Sequence, residues 1–140
     1  MNQVQVPRII IAGAAQSVGK SLIGTGLAVA LRKRNLSLSC CVSGPNLIQA
    51  VIYHRLSRRY VRCLDQKLLS GGQVVQTIRQ AGLGADLVLI EGNGGLYDGY
   101  SPANLRGSDA ELAAMSGTPV VLVVDVKDYG GSLVALAQGY

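Results

Sequence analysis

The sequence predicts an α/β fold: three layers, with a parallel sheet covered by helices on both faces. Three observations predict it. Short apolar runs alternate with segments of helical periodicity along the chain. The apolar residues are Val, Ile, Leu and Ala, with no Phe or Trp, a diet that suits strands buried on both faces. A glycine-rich turn joins the first apolar run to the first helical segment. The length of 140 residues suits one domain, and 49% hydrophobic against 15% charged residues excludes a disordered chain.

The elements follow in order. Arg8–Gly13 (RIIIAG) is a buried-strand pattern ending in glycine. Lys20–Arg34 places Leu22, Ile23, Leu27, Ala30 and Leu31 at helical spacing, and Arg32, Lys33 and Arg34 suit the negative end of its dipole. Ser37–Ser43 is a second strand. Gln73–Ala81 reads as helix, stopped by Gly82 and Gly84. Asp86–Glu91 is a third strand and Ser108–Met115 a short helix with Ser108 as N-cap. Pro119–Asp125 is a fourth strand, and Ser132–Gln138 begins another helix. Right-handed crossovers between such strands put ligands beyond their carboxyl ends. Those ends carry Gly13, Ser43-Gly44, Glu91-Gly92 and Asp125.

Other classes drop out. The apolar runs Ile9–Ala15 and Pro119–Val124 fall short of the roughly 20 residues of a membrane span, so no membrane association is expected. Met1–Gln5 lacks the basic start of a signal peptide. Three cysteines (Cys40, Cys41, Cys63) and one histidine support neither a disulfide framework nor a zinc site, and point to a reducing cytoplasm. The cysteines read as small core hydrophobes.

The strongest motif is Gly13-Ala14-Ala15-Gln16-Ser17-Val18-Gly19-Lys20-Ser21, between strand and helix. Loop N–H groups and a helix N-terminus converge there on phosphate oxygens. Lys20 would meet the β/γ-phosphates of ATP, and the Ser21 hydroxyl would ligate Mg²⁺. Five residues separate the two glycines, where the common pattern has four. The competing reading is an ordinary glycine-rich turn with a snorkelling lysine. The fold type is therefore expected to be that of the P-loop NTPases, with residues 1–140 one nucleotide-binding domain.

A second motif, Glu91-Gly92-Asn93-Gly94-Gly95-Leu96-Tyr97-Asp98-Gly99, closes an apolar strand with an acid. Glu91 could hold Mg²⁺ opposite Ser21, or stand solvated beside a turn that needs glycine only for bending. Arg55, Arg58, Arg59 and Arg62 form a basic cluster, either a clamp for carboxylates or phosphates or a solvated face. His54 beside it is a substrate or catalytic candidate, against a structural role. Asp65 and Asp125 either support the site or cap local turns, and Lys127 and Asp128 read as exposed loop charges. No nucleic-acid module accompanies the net charge of +5, so small anions are the expected partners.

Gly13…Gly19-Lys20-Ser21, Gly44-Pro45-Asn46, Arg62-Cys63-Leu64-Asp65, Glu91…Asp98-Gly99 and Pro119–Asp125 occur in this order. Together they resemble the N-terminal ATP-binding domain of the cobyrinic acid a,c-diamide synthases, over about Pro7 to Tyr140. The nickel-sirohydrochlorin diamide synthases share the pattern. The resemblance implies ATP-dependent activation of a tetrapyrrole carboxylate, followed by amidation. It implies catalytic roles for Lys20 and Glu91 with ATP-Mg²⁺, and a substrate side formed by Gly44, Pro45, Asn46, His54 and Asp98.

Where the family reads Lys-x-Gly-Pro-Asp-Tyr-Ile-Asp, this chain has Val42-Ser43-Gly44-Pro45-Asn46-Leu47-Ile48-Gln49. Ser17 stands where the family loop often has glycine. The family's continuing sheet and glutaminase domain have no counterpart here. A catalytically reduced nucleotide-binding or regulatory module acting with a partner is thus a second reading. A partition-type ATPase would carry a lysine near Ala15, and a dethiobiotin synthetase Thr-Asp-Thr at Ala14-Ala15-Gln16. The sheet is expected to be cut short after its fourth strand. An edge or helix face exposed near the C-terminus would suit a homo-oligomer or a separate partner domain.

Overall fold

A computed structural model describes residues 6–140; the reading of residues 1–5 as free of a signal peptide lies outside the described residues. Strands β1 (Arg8–Gly13), β2 (Leu38–Ser43), β3 (Arg62–Leu64), β4 (Leu87–Gly95) and β5 (Val120–Val123) form one sheet in the order β3-β2-β4-β1-β5. Every pairing in it is parallel. Helices α1 (Lys20–Lys33) and α2 (Leu47–Ser57) cover one face, and α3 (Gly71–Gly82) and α4 (Asp109–Ser116) cover the other. Helix α5 (Ser132–Gln138) follows β5 and buries none of its residues. The three-layer α/β prediction holds.

Two elements correct the expected inventory. The sheet has five strands, because Arg62–Leu64 pairs with Cys41–Ser43 as an edge strand. Three residues are too few to display a period. Helix α2 was also absent from the expectation. Its buried positions are Gln49, Tyr53 and Ser57, two of them polar, while Leu47, Ile48 and Val51 are exposed. Its apolar residues do not mark its inner face, so periodicity could not find it.

Alternation along the strands sorts the core into two halves. Ile10, Ala12, Cys41, Val88 and Ile90 meet α3 and α4 through Val74, Ile78 and Leu112. Ile11, Cys40, Val42 and Leu89 meet α1 and α2 through Ala28 and Tyr53. Cys40 and Cys41 therefore face opposite layers, and burial pushes both thiols up to about 12. They are core residues, as expected. Helix α1 turns Lys20, Gly24 and Ala28 inward and leaves Leu22 and Ile23 exposed. Small residues let it lie close to β4, which overrides the apolar stripe read from the sequence. At the β5 edge Val120 and Val121 are exposed, as anticipated for the C-terminal side of the sheet.

Candidate functional site

The carboxyl ends of β1, β2 and β4 converge on one rim, and the two glycine-rich loops meet there. Leu96 N–H donates to Gly13 O at 2.7 Å and Ala14 N–H to Val123 O at 2.9 Å, which pins the phosphate loop to β4 and β5. Ser17 takes the left-handed conformation (φ 59°), where an L side chain is strained. Gly19 (φ 94°) opens α1 without a side-chain cap, so the helix N-terminus faces the loop.

Lys20 is buried, and its Nζ donates to Gly94 O at 2.8 Å. Lys20 thus bridges the first glycine-rich loop to the second. Ser21 Oγ donates to Glu91 Oε1 at 2.6 Å, and Tyr53 Oη donates to Glu91 Oε2 at 2.6 Å. Glu91 is 2% exposed, so both its oxygens depend on these partners. Burial, and then the bond to Glu91, raise the Tyr53 hydroxyl far above its ordinary range and keep it a donor. A groove of about 310 Å³ is lined by Ser17, Lys20, Ser21, Asn46 and Glu91.

One hydroxyl and one carboxylate on a groove beside a phosphate loop suit Mg²⁺. That ion takes few protein ligands and completes its shell with phosphates and water. Among the described residues no cluster of three or more acidic, His or Cys side chains competes with this pair.

A second cavity, of about 380 Å³, lies on the β2–β4 side of the loop and includes Gln16, Gly44, Pro45, Asp65, Asp98 and Asp109. Asp98 Oδ2 accepts from Gly95 N–H at 2.9 Å, and Asp65 Oδ1 from Lys67 N–H at 2.8 Å. Ala14, Ala15 and Val18 border a third space, of about 320 Å³, toward Asp125 and Tyr129. Asp125 itself caps a turn at Lys127 N–H.

The structure brings the phosphate loop, Gly44, Pro45, Asn46, Glu91 and Asp98 to this rim. Asn46 is partly committed, since its side chain caps α2 by accepting from Gln49 N–H at 3.2 Å. Gln49 points inward and donates to Thr25 Oγ1 at 3.1 Å. His54 sits apart, in the last turn of α2, with Nδ1 2.9 Å from Arg59 O. The basic cluster is also elsewhere. Arg59 donates to Gly84 O at 2.7 Å and Leu83 O at 2.6 Å, tying loops at the amino end of the sheet.

Sequence reasoning missed Tyr53 and Asp109. Tyr53 lies on the unrecognised helix. Asp109 follows the cap Ser108 and passes for an acid that favours a helix start. It is instead 2% exposed, with Oδ1 accepting from Asn93 N–H at 3.3 Å. Burial pushes its carboxyl above the usual range, opposed by the Ser43 hydroxyl, the Asn93 N–H and the charge of Lys20.

No helix among the described residues is long and apolar enough to cross a membrane. No protein-family model matches the chain. It is 35% identical over 136 residues to a cobyrinate a,c-diamide synthase of Leptospira interrogans, covering 97% of this chain and 30% of that protein. It is 35% identical over 137 residues to the Archaeoglobus fulgidus cobyrinate a,c-diamide synthase, covering 98% of this chain and 30% of that relative. A hydrogenobyrinate a,c-diamide synthase of Streptomyces coelicolor is 35% identical over 96% of this chain and 28% of its own length. The chain spans under a third of each of these relatives, and over that span it belongs to the cobyrinate a,c-diamide synthase family.

Proposed function

We propose that the chain is an ATP-Mg²⁺-binding amidoligase domain that activates a carboxylate of a tetrapyrrole acid for amidation. The observation that carries the reading is the Lys20, Ser21–Glu91–Tyr53 arrangement beside the phosphate loop. Ser21 and Glu91 would hold Mg²⁺, which neutralises phosphate charge when bound. Lys20 would leave Gly94 O for the β/γ-phosphates, and the Gly19–Ser21 N-terminus of α1 would add backbone donors.

The chemistry is two displacements. A substrate carboxylate oxygen attacks the γ-phosphorus, the bond to the β-phosphate oxygen breaks, and ADP leaves. Ammonia then attacks the acyl carbon, the C–O bond to phosphate breaks, and the proton lost by nitrogen leaves with the phosphate. The protein's work is alignment and charge stabilisation. Gly44, Pro45 and Asp98 border the cavity next to Gln16 of the loop, which suits the substrate side.

A second reading, a nucleotide-binding module acting with a partner, is favoured by one observation. The side chains of Asn46 and Gln49 are engaged in capping α2 and bonding Thr25. One experiment separates the two. ATP should raise the melting temperature in the presence of Mg²⁺, and Lys20→Ala should remove that shift. Phosphate release that requires both a tetrapyrrole acid and ammonia supports the ligase. Stabilisation without turnover supports the module, and a shift that survives Lys20→Ala overturns the nucleotide site.

A further inference from the structure

Phosphoryl transfer to a carboxylate needs its two reactants side by side. On the reading above, the nucleotide occupies the groove of about 310 Å³ with Lys20, Ser21 and Glu91. The tetrapyrrole acid occupies the cavity of about 380 Å³ with Gly44, Pro45 and Asp98. The attacking oxygen comes from the cavity and the leaving β-phosphate oxygen stays in the groove, so the phosphorus passes between the two. Among the described residues Asn93 alone lines both spaces. Ser17 and Asn46 border the groove but not the cavity, and Gln16 and Gly44 the cavity but not the groove.

The backbone of Asn93 is fixed. Its N–H donates to Oδ1 of buried Asp109 at 3.3 Å, and Gly95 N–H donates to Asp98 Oδ2 at 2.9 Å. Leu96 N–H then donates to Gly13 O at 2.7 Å, tying the same stretch to the first strand of the phosphate loop. None of these bonds involves Lys20, so they persist when that lysine turns to phosphate. The side chain is free by contrast. Asn93 is the one exposed residue of β4, a strand otherwise buried or half-buried. Its carboxamide takes no hydrogen-bond partner among the described residues and lies over Gly44, where a Cβ would come 3.4 Å from Nδ2. A fixed backbone under a free amide is a preorganised donor. The NH₂ group offers two N–H bonds and no charge, and neither gains nor loses a proton in the reaction.

We propose that Asn93 is a catalytic residue, whose NH₂ group donates to an oxygen of the phosphoryl group as it passes from ATP to the substrate carboxylate. This rests on the amidoligase reading above and adds the residue that spans its two spaces. The bond from carboxylate oxygen to phosphorus forms, the bond to the β-phosphate oxygen breaks, and that electron pair leaves with ADP. The amide contributes hydrogen bonds alone.

ADP-Mg²⁺ with aluminium fluoride, which imitates the planar phosphoryl group in transfer, tests this without turnover. Melting temperature is followed with ADP-Mg²⁺ and then with aluminium fluoride added, cobyrinic acid being present throughout. In the unaltered chain the fluoride should add an increment over ADP-Mg²⁺. Asn93→Ala keeps the backbone N–H on Asp109 and, at an exposed position, should melt like the unaltered chain without ligand. It should retain the ADP-Mg²⁺ increment and lose most of the fluoride increment. Asn93→Asp has the same shape but sets a negative charge where the NH₂ was, and should reduce the fluoride increment further than Asn93→Ala does. A residue that only fills space would leave Asn93→Asp like the unaltered chain. Where turnover with ammonia is measurable, Asn93→Ala should lower kcat about a hundredfold, with KM for ATP within about twofold. A fluoride increment equal in all three proteins, or missing from the unaltered chain while ADP-Mg²⁺ stabilises it, overturns the proposal. Loss of the ADP-Mg²⁺ increment in Asn93→Ala overturns it too, since the residue would then be a nucleotide contact. If ADP-Mg²⁺ does not stabilise the unaltered chain, the amidoligase reading itself falls, and the proposal with it.

Discussion

Tyr53→Phe isolates the contact on which the proposed metal pair depends. The substitution keeps the ring, which is fully buried, and deletes only the hydroxyl that donates to Glu91 Oε2 at 2.6 Å. The packing change is one oxygen atom, so the cavity contribution is small. What remains is a carboxylate, 2% exposed, with one oxygen held by Ser21 and the other without a donor. A hydrogen bond to a charged group contributes about 1.5–3 kcal/mol, and an orphaned buried acceptor sets the loss toward the upper part of that range. The expected loss is therefore about 2–3 kcal/mol, a large share of the 5–15 kcal/mol typical of a domain. Urea unfolding at neutral pH measures it, with the m-value unchanged because the buried surface hardly changes. Glu91→Gln and the double variant complete a cycle, whose coupling should be about 1 kcal/mol or more. A loss below about 0.5 kcal/mol with no coupling would refute the reasoning, since it would mean Glu91 does not need the tyrosine.

Gly24→Ala should lower stability by about 1–3 kcal/mol and weaken the ATP-Mg²⁺ shift. Its Cβ would come 2.3 Å from Tyr53 Oη and 3.2 Å from Glu91 Oε2, and thermal melts with and without nucleotide would show both effects. Arg59→Ala removes the guanidinium that bonds Leu83 O and Gly84 O, and should cost about 1–3 kcal/mol in denaturant unfolding. The ATP shift should survive, because the clamp lies at the other end of the sheet. Asp109 has a pKa above its ordinary 3.8, chiefly through burial. Its protonated form is the one the fold favours, so its contribution is complete below 3.8 and is lost as pH rises through the folded pKa. Melting curves from acid toward neutral pH should show a steeper decline in the native chain than in Asp109→Asn.

The rim itself was largely legible in the sequence. Gly19-Lys20-Ser21 after an apolar strand, and Glu91 at the end of another, name two strand ends, and parallel topology brings such ends together. Ser108 was legible as a cap because capping is local: its side chain accepts from Glu111 N–H at 3.1 Å. His54 was not, because a lone histidine carries no signal of which end of its helix faces the ligand. The arginines of the basic cluster are consecutive enough to suggest a patch. Their placement depends on how α2 returns the chain to the amino end of β3.

The sequence by itself determined the layer architecture, the phosphate loop and the Glu91 loop, since each rests on periodicity or on a short contiguous motif. Only the tertiary structure decided that Tyr53, 38 positions from Glu91, holds its second oxygen. It alone turned α1 onto Gly24 and Ala28, and buried Asp109 against the backbone of Asn93. The physical reason is that burial and hydrogen-bond partnership between distant residues are set by how closely the layers approach. That distance is fixed by small residues such as Gly24 and Gly92, whose effect appears only when another element is packed against them.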